Sequence, residues 1–88
     1  MKMNTSFEIV EIAEEYLAVP TGSLASSYSG LVSLTDATAF LLRNMKEDKT
    51  EEDLVRLLIE NYEVDPAVAA VDVHNLIPKL FELRLITV

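Results

Sequence analysis

Apolar and polar residues near the start of the chain alternate as they do in β-strands. Residues 7–12 interleave apolar with acidic side chains, and residues 15–19 form a second short run that Pro20 ends. This period predicts two strands, each with one face in water. Only Ala13 and Glu14 separate them, so the spacing indicates a hairpin, although neither turn residue is the Gly, Asn or Asp that tight turns prefer.

A loop-like segment and a third predicted strand follow. Residues 21–30 contain both glycines and four serines, a composition that is typical of a connector between elements. Residues 31–34 then predict a strand in which Val32 and Leu34 share one face and the other two residues share the opposite face.

From residue 35 onward the apolar period becomes that of α-helices. Thr35, Thr50 and Asp65 are candidate N-caps, and Pro66 directly after Asp65 favours a helix start. Pro78 lies inside the third predicted helix, and we expect it to kink that helix. The apolar stripe of the third helix consists of Ala69, Val73, Leu76, Ile77 and Leu80.

Three strands followed by three helices predict an α+β fold, in the order β-β-β-α-α-α, with a three-stranded antiparallel sheet backed by the helices. The length of 88 residues predicts one domain over residues 1–88. Half of the residues are apolar, which argues against a disordered chain despite a net charge of -8. The apolar residues of the last segment, 83–88, are expected to pack beneath the helices.

The composition argues against several functions. There is no cysteine and His74 is the only histidine, so we expect neither a metal nor a cofactor. A glycine-rich phosphate loop and a plausible nucleophile with its base are both missing, so an enzyme is not expected. Seven basic residues against fifteen acidic ones, without a basic patch, argue against nucleic-acid binding. Without a signal-peptide core or a membrane-spanning run, we expect a cytoplasmic protein that does not contact membranes.

Motifs along most of the chain resemble those of the PqqD family. That family includes the small protein of pyrroloquinoline quinone (PQQ) synthesis and the recognition elements of ribosomally made, post-translationally modified peptides. Its members often carry glycine where Glu14 and Arg84 stand in this sequence. The matching segments are residues 15–22, 34–42, 50–55, 62–66, 72–73 and 85–86.

The resemblance implies a winged-helix-like fold and a non-catalytic peptide chaperone. In the family, the leader segment of a precursor peptide binds as an added strand between the third strand and the third helix. The domain then presents the peptide to a modifying enzyme, often a radical SAM protein. The expected peptide-binding residues are Gly30, Leu31, Val32, Ser33, Leu34, Asp72, Asn75, Leu76, Lys79 and Leu83.

The third predicted helix has two shoulders beside its apolar stripe. One carries Asp72, Lys79 and Leu83, and the other carries His74, Pro78 and Phe81. We expect the first shoulder to face the peptide, because its charges could pair with those of a leader segment while Leu76 forms an apolar floor. A solvated acid on a helix surface is an equally simple interpretation of Asp72.

Two functions from other classes stay open. The domain could be structural or could self-associate as a homodimer through its strand edge or its apolar C-terminus, and Leu31 would then be a core or dimer residue. A winged-helix DNA binder would place its third helix in the major groove. That helix region offers only Lys79 and Arg84 against Asp72 and Glu82, which is too little attraction for phosphates.

Overall fold

A computed structural model describes residues 1–22, 24–28 and 30–88 of the chain, so Ser23 and Ser29 of the predicted connector lie outside the described residues. The strands are β1 Lys2–Met3, β2 Phe7–Ile12, β3 Glu15–Pro20, β4 Val32–Leu34 and β5 Ile86–Thr87. The helices are α1 Leu24–Ser27, α2 Asp36–Arg43, α3 Glu51–Asn61 and α4 Pro66–Glu82, and a 3-10 turn, Asn44–Lys46, follows α2. The predicted third strand and third helix therefore correspond to β4 and α4.

Strands β2, β3 and β4 form an antiparallel sheet in that order. The α+β class and the three-stranded antiparallel sheet are thus confirmed. The hairpin between β2 and β3 turns through Ala13 and Glu14, which have φ angles of 51° and 67°. Positive φ at both central positions is characteristic of a type I′ turn, whose twist matches that of the flanking strands. The hairpin prediction is confirmed, with two residues that adopt this conformation at some steric cost.

The three predicted N-caps are confirmed. The side chain of Thr35 accepts a hydrogen bond from the backbone N–H three residues later, at 3.1 Å. Thr50 and Asp53 form a capping box, in which each side chain accepts from the backbone N–H of the other residue. The carboxylate of Asp65 accepts from an N–H two residues later at 2.8 Å, ahead of Pro66 at the start of α4.

Helix α4 continues through Pro78 and ends at Glu82. Pro78 therefore does not shorten the helix, and the expected kink stays a prediction. The prediction of a loop throughout residues 21–30 was wrong for Leu24–Ser27, which form the single turn α1. Four residues give too short a window for helical periodicity to be recognised in a segment rich in serine.

The C-terminal end of α4 forms a Schellman motif around Arg84, whose φ is 62°. The N–H of Arg84 donates to the carbonyl of Phe81 at 3.0 Å, and the N–H of Leu85 donates to the carbonyl of Leu80 at 2.9 Å. These two bonds satisfy carbonyls that the helix end leaves unpaired. Leu80 and Leu85 are both buried, which provides the hydrophobic contact that usually accompanies the motif.

A second sheet, which the sequence did not predict, joins the two ends of the chain. Strand β1 pairs antiparallel with β5, with Lys2 opposite Thr87 and Met3 opposite Ile86. The side-chain amide of Asn4 adds a hydrogen bond to the carbonyl of residue 84 at 2.9 Å. The last segment is therefore held by hydrogen bonds as well as by its apolar side chains.

The hydrophobic core draws residues from the sheet, the helices and the C-terminal segment. Val73 and Leu80 confirm the stripe predicted for the third helix, and the burial of Leu85 and Ile86 confirms that the last segment packs inward. Among the described residues, no helix is both long and apolar enough to cross a membrane. The buried cluster comprises Phe7, Ala18, Leu41, Leu42, Met45, Leu54, Leu58, Ala69, Val73, Leu80, Leu85 and Ile86.

Candidate functional site

Strand β4 lies at one edge of the three-stranded sheet. Within the described residues it pairs with β3 alone. Val32 and Leu34 pack against the core, whereas Ser33 is exposed and Leu31, just before the strand, is 59% exposed. The two-face pattern predicted for this strand is therefore confirmed. The outer edge of β4 presents unpaired main-chain N–H and C=O groups, which can accept another strand.

Directly after β4, a groove of about 400 Å³ separates the start of α2 from the middle of α4. Its floor includes Leu41 and Val73, which are buried, and its rim includes Asp72, Asn75 and Lys79, which are exposed. An apolar floor beneath a few polar groups is the usual composition of a ligand-binding groove. The full lining is Thr35, Ala37, Thr38, Leu41, Leu58, Asp72, Val73, Asn75, Leu76 and Lys79.

The two charged residues of the rim lie on the same side of α4. Asp72 and Lys79 are seven residues apart, which places them roughly 10 Å apart along the helix axis. Neither forms an ion pair within the described part of the chain. Both side chains are thus free to pair with charges of a bound molecule, one of each sign at opposite ends of the groove.

Helix α3 holds the α2 wall of the groove in place. The hydroxyl of Tyr62 donates to Oδ2 of Asp36 at 3.2 Å, and its ring packs edge-on against Phe40 with 5.5 Å between the ring centroids. Burial raises the pKa of Tyr62, and the hydrogen bond to Asp36 raises it further. The phenol therefore remains a hydrogen-bond donor at neutral pH, and the first turn of α2 is held against the end of α3.

The two shoulders of α4 face different helices. His74, on the shoulder away from the groove, has its Nδ1 atom 3.2 Å from Oε2 of Glu51 in the first turn of α3. The shoulder with Asp72 and Lys79 faces α2 and lines the groove. The structure therefore places the charges of the first shoulder, and not His74, beside the groove.

The residues expected to bind a peptide fall into separate places. Asp72, Asn75, Leu76 and Lys79 are brought together in the α2–α4 groove. Leu83 lies at the C-cap of α4 and is not part of the lining, which ends on this helix at Lys79. There its carbonyl accepts a hydrogen bond from the hydroxyl of the connector residue Tyr28 at 3.0 Å.

The β4 residues lie outside that groove, along the sheet edge that leads to it. Ser33 and Leu34 line a smaller depression of about 340 Å³, together with the hairpin turn residue Glu14 and with Tyr16. Gly30, with a φ of 85°, is exposed before the strand begins. The chain passes directly from this edge into the groove wall, because α2 begins two residues after β4 ends.

Sequence reasoning missed the contribution of α2 to the groove. Thr35 was predicted as a helix cap, and Ala37 and Leu41 are apolar positions of the helical segment predicted to follow it. Their place in the lining depends on how α2 and α4 pack, which the period of either helix alone does not reveal. The available signal was the close succession of β4 and Thr35, which places the start of α2 beside any ligand on the β4 edge.

The fold and the groove together define a small α+β domain with an open sheet edge that leads into an interhelical groove. The family model for coenzyme PQQ synthesis protein D (PqqD) matches residues 15–86. Because this match covers most of the chain, the chain belongs to the PqqD family, and the resemblance noted from the sequence is confirmed.

Two solved structures share this fold. TbiB1, in complex with the TbiA(beta) leader peptide, superposes with a TM-score of 0.73 and 18% sequence identity, over 97% of this chain and 93% of TbiB1. Lasso peptide synthetase B1, complexed with the leader peptide, superposes with a TM-score of 0.69 and 17% identity, over 92% of this chain and 89% of that one. A comparison with curated proteins finds no match.

Proposed function

We propose that this chain is a winged-helix-like, non-catalytic peptide chaperone of one domain. It binds the leader segment of a ribosomally made precursor peptide and presents it to a modifying enzyme, a radical SAM protein or another peptide-modifying enzyme, in the synthesis of PQQ or a related peptide product. Membership of the PqqD family supports this role. The leader peptides bound to TbiB1 and to lasso peptide synthetase B1, which share the fold, support it as well.

The observation that carries the proposal is the free edge of β4 next to the α2–α4 groove. An extended leader segment adds to β4 through main-chain hydrogen bonds, which provide affinity without regard to sequence. Alternate side chains of an added strand point to opposite faces. Those on the helical face reach the groove, where Leu76 provides an apolar contact, while Leu31 and Ser33 line the other face.

The rim charges supply sequence selectivity. Lys79 attracts an acidic leader residue at one end of the groove, and Asp72 attracts a basic one at the other end. A leader with these charges exchanged would meet like charges at both positions, which disfavours binding. The groove lining contains one carboxylate and one ammonium group, with neither histidine nor cysteine, and this composition favours recognition over catalysis.

A titration of the isotope-labelled chain with candidate leader peptides tests the proposal. The candidate peptides are those encoded by short open reading frames beside the gene of this chain. The amide resonances of β4 and of α4 around Leu76 are expected to shift. Leu31→Asp should weaken binding about tenfold, because it removes an apolar contact worth roughly 1.5 kcal/mol. Ile12→Asp is the matched control. Ile12 and Leu31 are both 59% exposed, but Ile12 ends β2 whereas Leu31 directly precedes β4.

Two results would contradict peptide recognition at this site. Equal weakening by the Leu31 and Ile12 variants would show that β4 has no special part in binding. Resonance changes at β4 that depend on the concentration of the chain alone, and not on the peptide, would instead show self-association through the strand edge.

A further inference from the structure

A second and larger groove lies at the opposite edge of the three-stranded sheet. It measures about 740 Å³ and lies where β1 and β2 approach the end of α2 and the following 3-10 turn. Three consecutive residues of β2, Phe7, Glu8 and Ile9, line it. Because successive side chains of a strand point to opposite faces, a cavity that touches all three lies along the edge of the strand.

Beyond Phe7, whose N–H donates to the carbonyl of Asn4 at 3.2 Å, the main chain of β2 is free along this edge. Within the described residues, β2 pairs with β3 and has no partner strand on its other side. The outward N–H and C=O groups of β2 after Phe7 are thus open to an added strand, as those of β4 are. Because β3 separates the two edges, with neighbouring strands about 4.8 Å apart, one molecule has room for a polypeptide on each edge.

The charge of this groove is opposite to that of the whole molecule. Lys2, Arg43 and Lys46 line it, against the single acid Glu8, although the chain as a whole has a net charge of -8. None of the three basic side chains forms an ion pair within the described part of the chain. The guanidinium of Arg43 lies 5.1 Å from the ring centroid of Tyr16, which holds it in position by a cation–π contact.

The neighbouring acid Asp48 is already engaged by another group. The N-terminal ammonium donates a hydrogen bond to its carboxylate. This hydrogen bond and the charge of the ammonium lower the pKa of Asp48, with a smaller contribution from Lys2. The lysines of the groove therefore keep charge available for an incoming anion. Met3 and Ile9, which line the same groove, are half-buried and provide an apolar contact surface.

We propose that this basic edge groove, formed by Lys2, Arg43, Lys46 and the free edge of β2, binds an extended acidic segment of a second protein. That protein is the enzyme that receives the leader peptide, an assignment that rests on the function proposed above. Acidic side chains of that segment pair with the three cations, and the apolar side chains between them pack on Met3 and Ile9. The rest of the chain has four basic residues against fourteen acidic ones, so charge favours this edge over the remaining surface. The domain is then an adaptor with the leader on β4 and the enzyme on β2.

The probe for this surface is a synthetic peptide of about ten residues, the length of a long strand, that alternates aspartate with valine. It is titrated into the isotope-labelled full chain in about 0.1 M salt, and a peptide that alternates lysine with valine is the control. The aspartate peptide is expected to shift the amide resonances of residues 2–9 and 43–46. Lys2→Glu and Lys46→Glu should each weaken it about fivefold, the effect of one exposed charge pair of roughly 1 kcal/mol.

Lys79→Glu is the matched control, because Lys79 lies in the α2–α4 groove. This variant should leave the binding of the aspartate peptide unchanged but should weaken the binding of a leader peptide in the α2–α4 groove. The adaptor proposal and the leader-binding proposal can therefore fail separately. Circular dichroism of each variant verifies the fold. The proposal is overturned if the aspartate peptide causes no local shifts, if it acts at β4 and α4, if the lysine peptide binds equally well, or if a single-stranded oligonucleotide of similar length binds more tightly.

Discussion

Among the described residues, three other than glycine have positive φ angles. Ala13 and Glu14 form the hairpin turn, and Arg84 ends α4, with φ angles of 51°, 67° and 62°. A side chain with a Cβ atom is disfavoured by roughly 1 kcal/mol or more in this region. Glycine, which the resemblance noted from the sequence led us to expect in place of Glu14 and Arg84, would adopt these two φ angles without that cost.

Replacing either of these two residues by glycine should stabilise the fold. We expect Glu14→Gly and Arg84→Gly each to raise the free energy of unfolding by about 0.5–1 kcal/mol, because relief of strain exceeds the entropy that glycine adds to the unfolded chain. Urea denaturation measures the change. Glu15→Gly is the control, since Glu15 is exposed in the extended strand β3 and glycine there should lower stability. A loss of stability in all three variants would contradict the argument.

At the level of elements, the start of α3 depends on a reciprocal pair of hydrogen bonds. The backbone N–H of Thr50 donates to Asp53 at 2.9 Å, and the backbone N–H of Asp53 donates to the hydroxyl of Thr50 at 3.1 Å. The backbone bond from Thr50 is the main reason that the pKa of Asp53 is lowered, and its hydroxyl contributes further. Asp53 thus stabilises the folded state in its ionised form.

The capping box should make part of the stability dependent on pH. Because the pKa of Asp53 is lower in the folded chain than its unfolded value of about 3.9, its contribution is complete above that value and is lost as the pH falls through the folded pKa. Asp53→Asn should therefore reduce stability at pH 7, and the difference from the wild type should narrow in acid. Urea titrations from about pH 7 to pH 2 measure it.

Glu52→Gln provides the comparison, because Glu52 is in the same first turn but is exposed and outside the capping box. Its difference from the wild type is expected to be smaller and to depend less on pH. A difference for Asp53→Asn that stays constant from neutral to acid pH would show that ionisation of Asp53 does not stabilise the helix.

At the level of the whole molecule, the C-terminal segment closes the core. Leu85 is fully buried and Ile86 is nearly so, whereas Val88 is fully exposed. The pairing of β5 with β1 brings the two ends of the described chain together. Residues at the end of the sequence therefore contribute to the core as much as residues at the centre of α4.

Truncation of Leu85 should destabilise the whole molecule. We expect Leu85→Ala to lower the free energy of unfolding by about 2–5 kcal/mol, through lost burial and the cavity that remains. Val88→Ala is the control and should change stability by less than about 0.5 kcal/mol. Denaturation curves of both variants measure the difference. Similar small effects for the two would show that the last segment is not part of the cooperative core.

Most of the α+β fold could be predicted because its signals are local. Thr35, Thr50 and Asp65 each bond to an N–H two or three residues later, and the stripe through Val73 and Leu80 repeats within a single helix. The β2–β3 hairpin likewise depends on two strands and a turn of two residues. Such interactions involve neighbours in the sequence, so composition and period reveal them.

Part of the candidate site could also be predicted from the sequence. The inward position of Val32 and Leu34 followed from the period of a strand, and Asp72 with Lys79 followed from that of a helix. Leu83 was predicted to share that helical shoulder, yet it lies outside the groove, whose lining on α4 extends only to Lys79. Helical spacing gives the direction of a side chain but not the element that it meets.

The sequence by itself determined the main strands and helices, their caps and the family, because those depend on hydrogen bonds and periods over a few residues. Only the tertiary structure decided that β1 pairs with β5, that the shoulder of Asp72 faces α2, and that Lys2, Arg43 and Lys46 share one groove. These features join segments far apart in the chain. Their partners are selected by the packing of the common core, which no local pattern encodes.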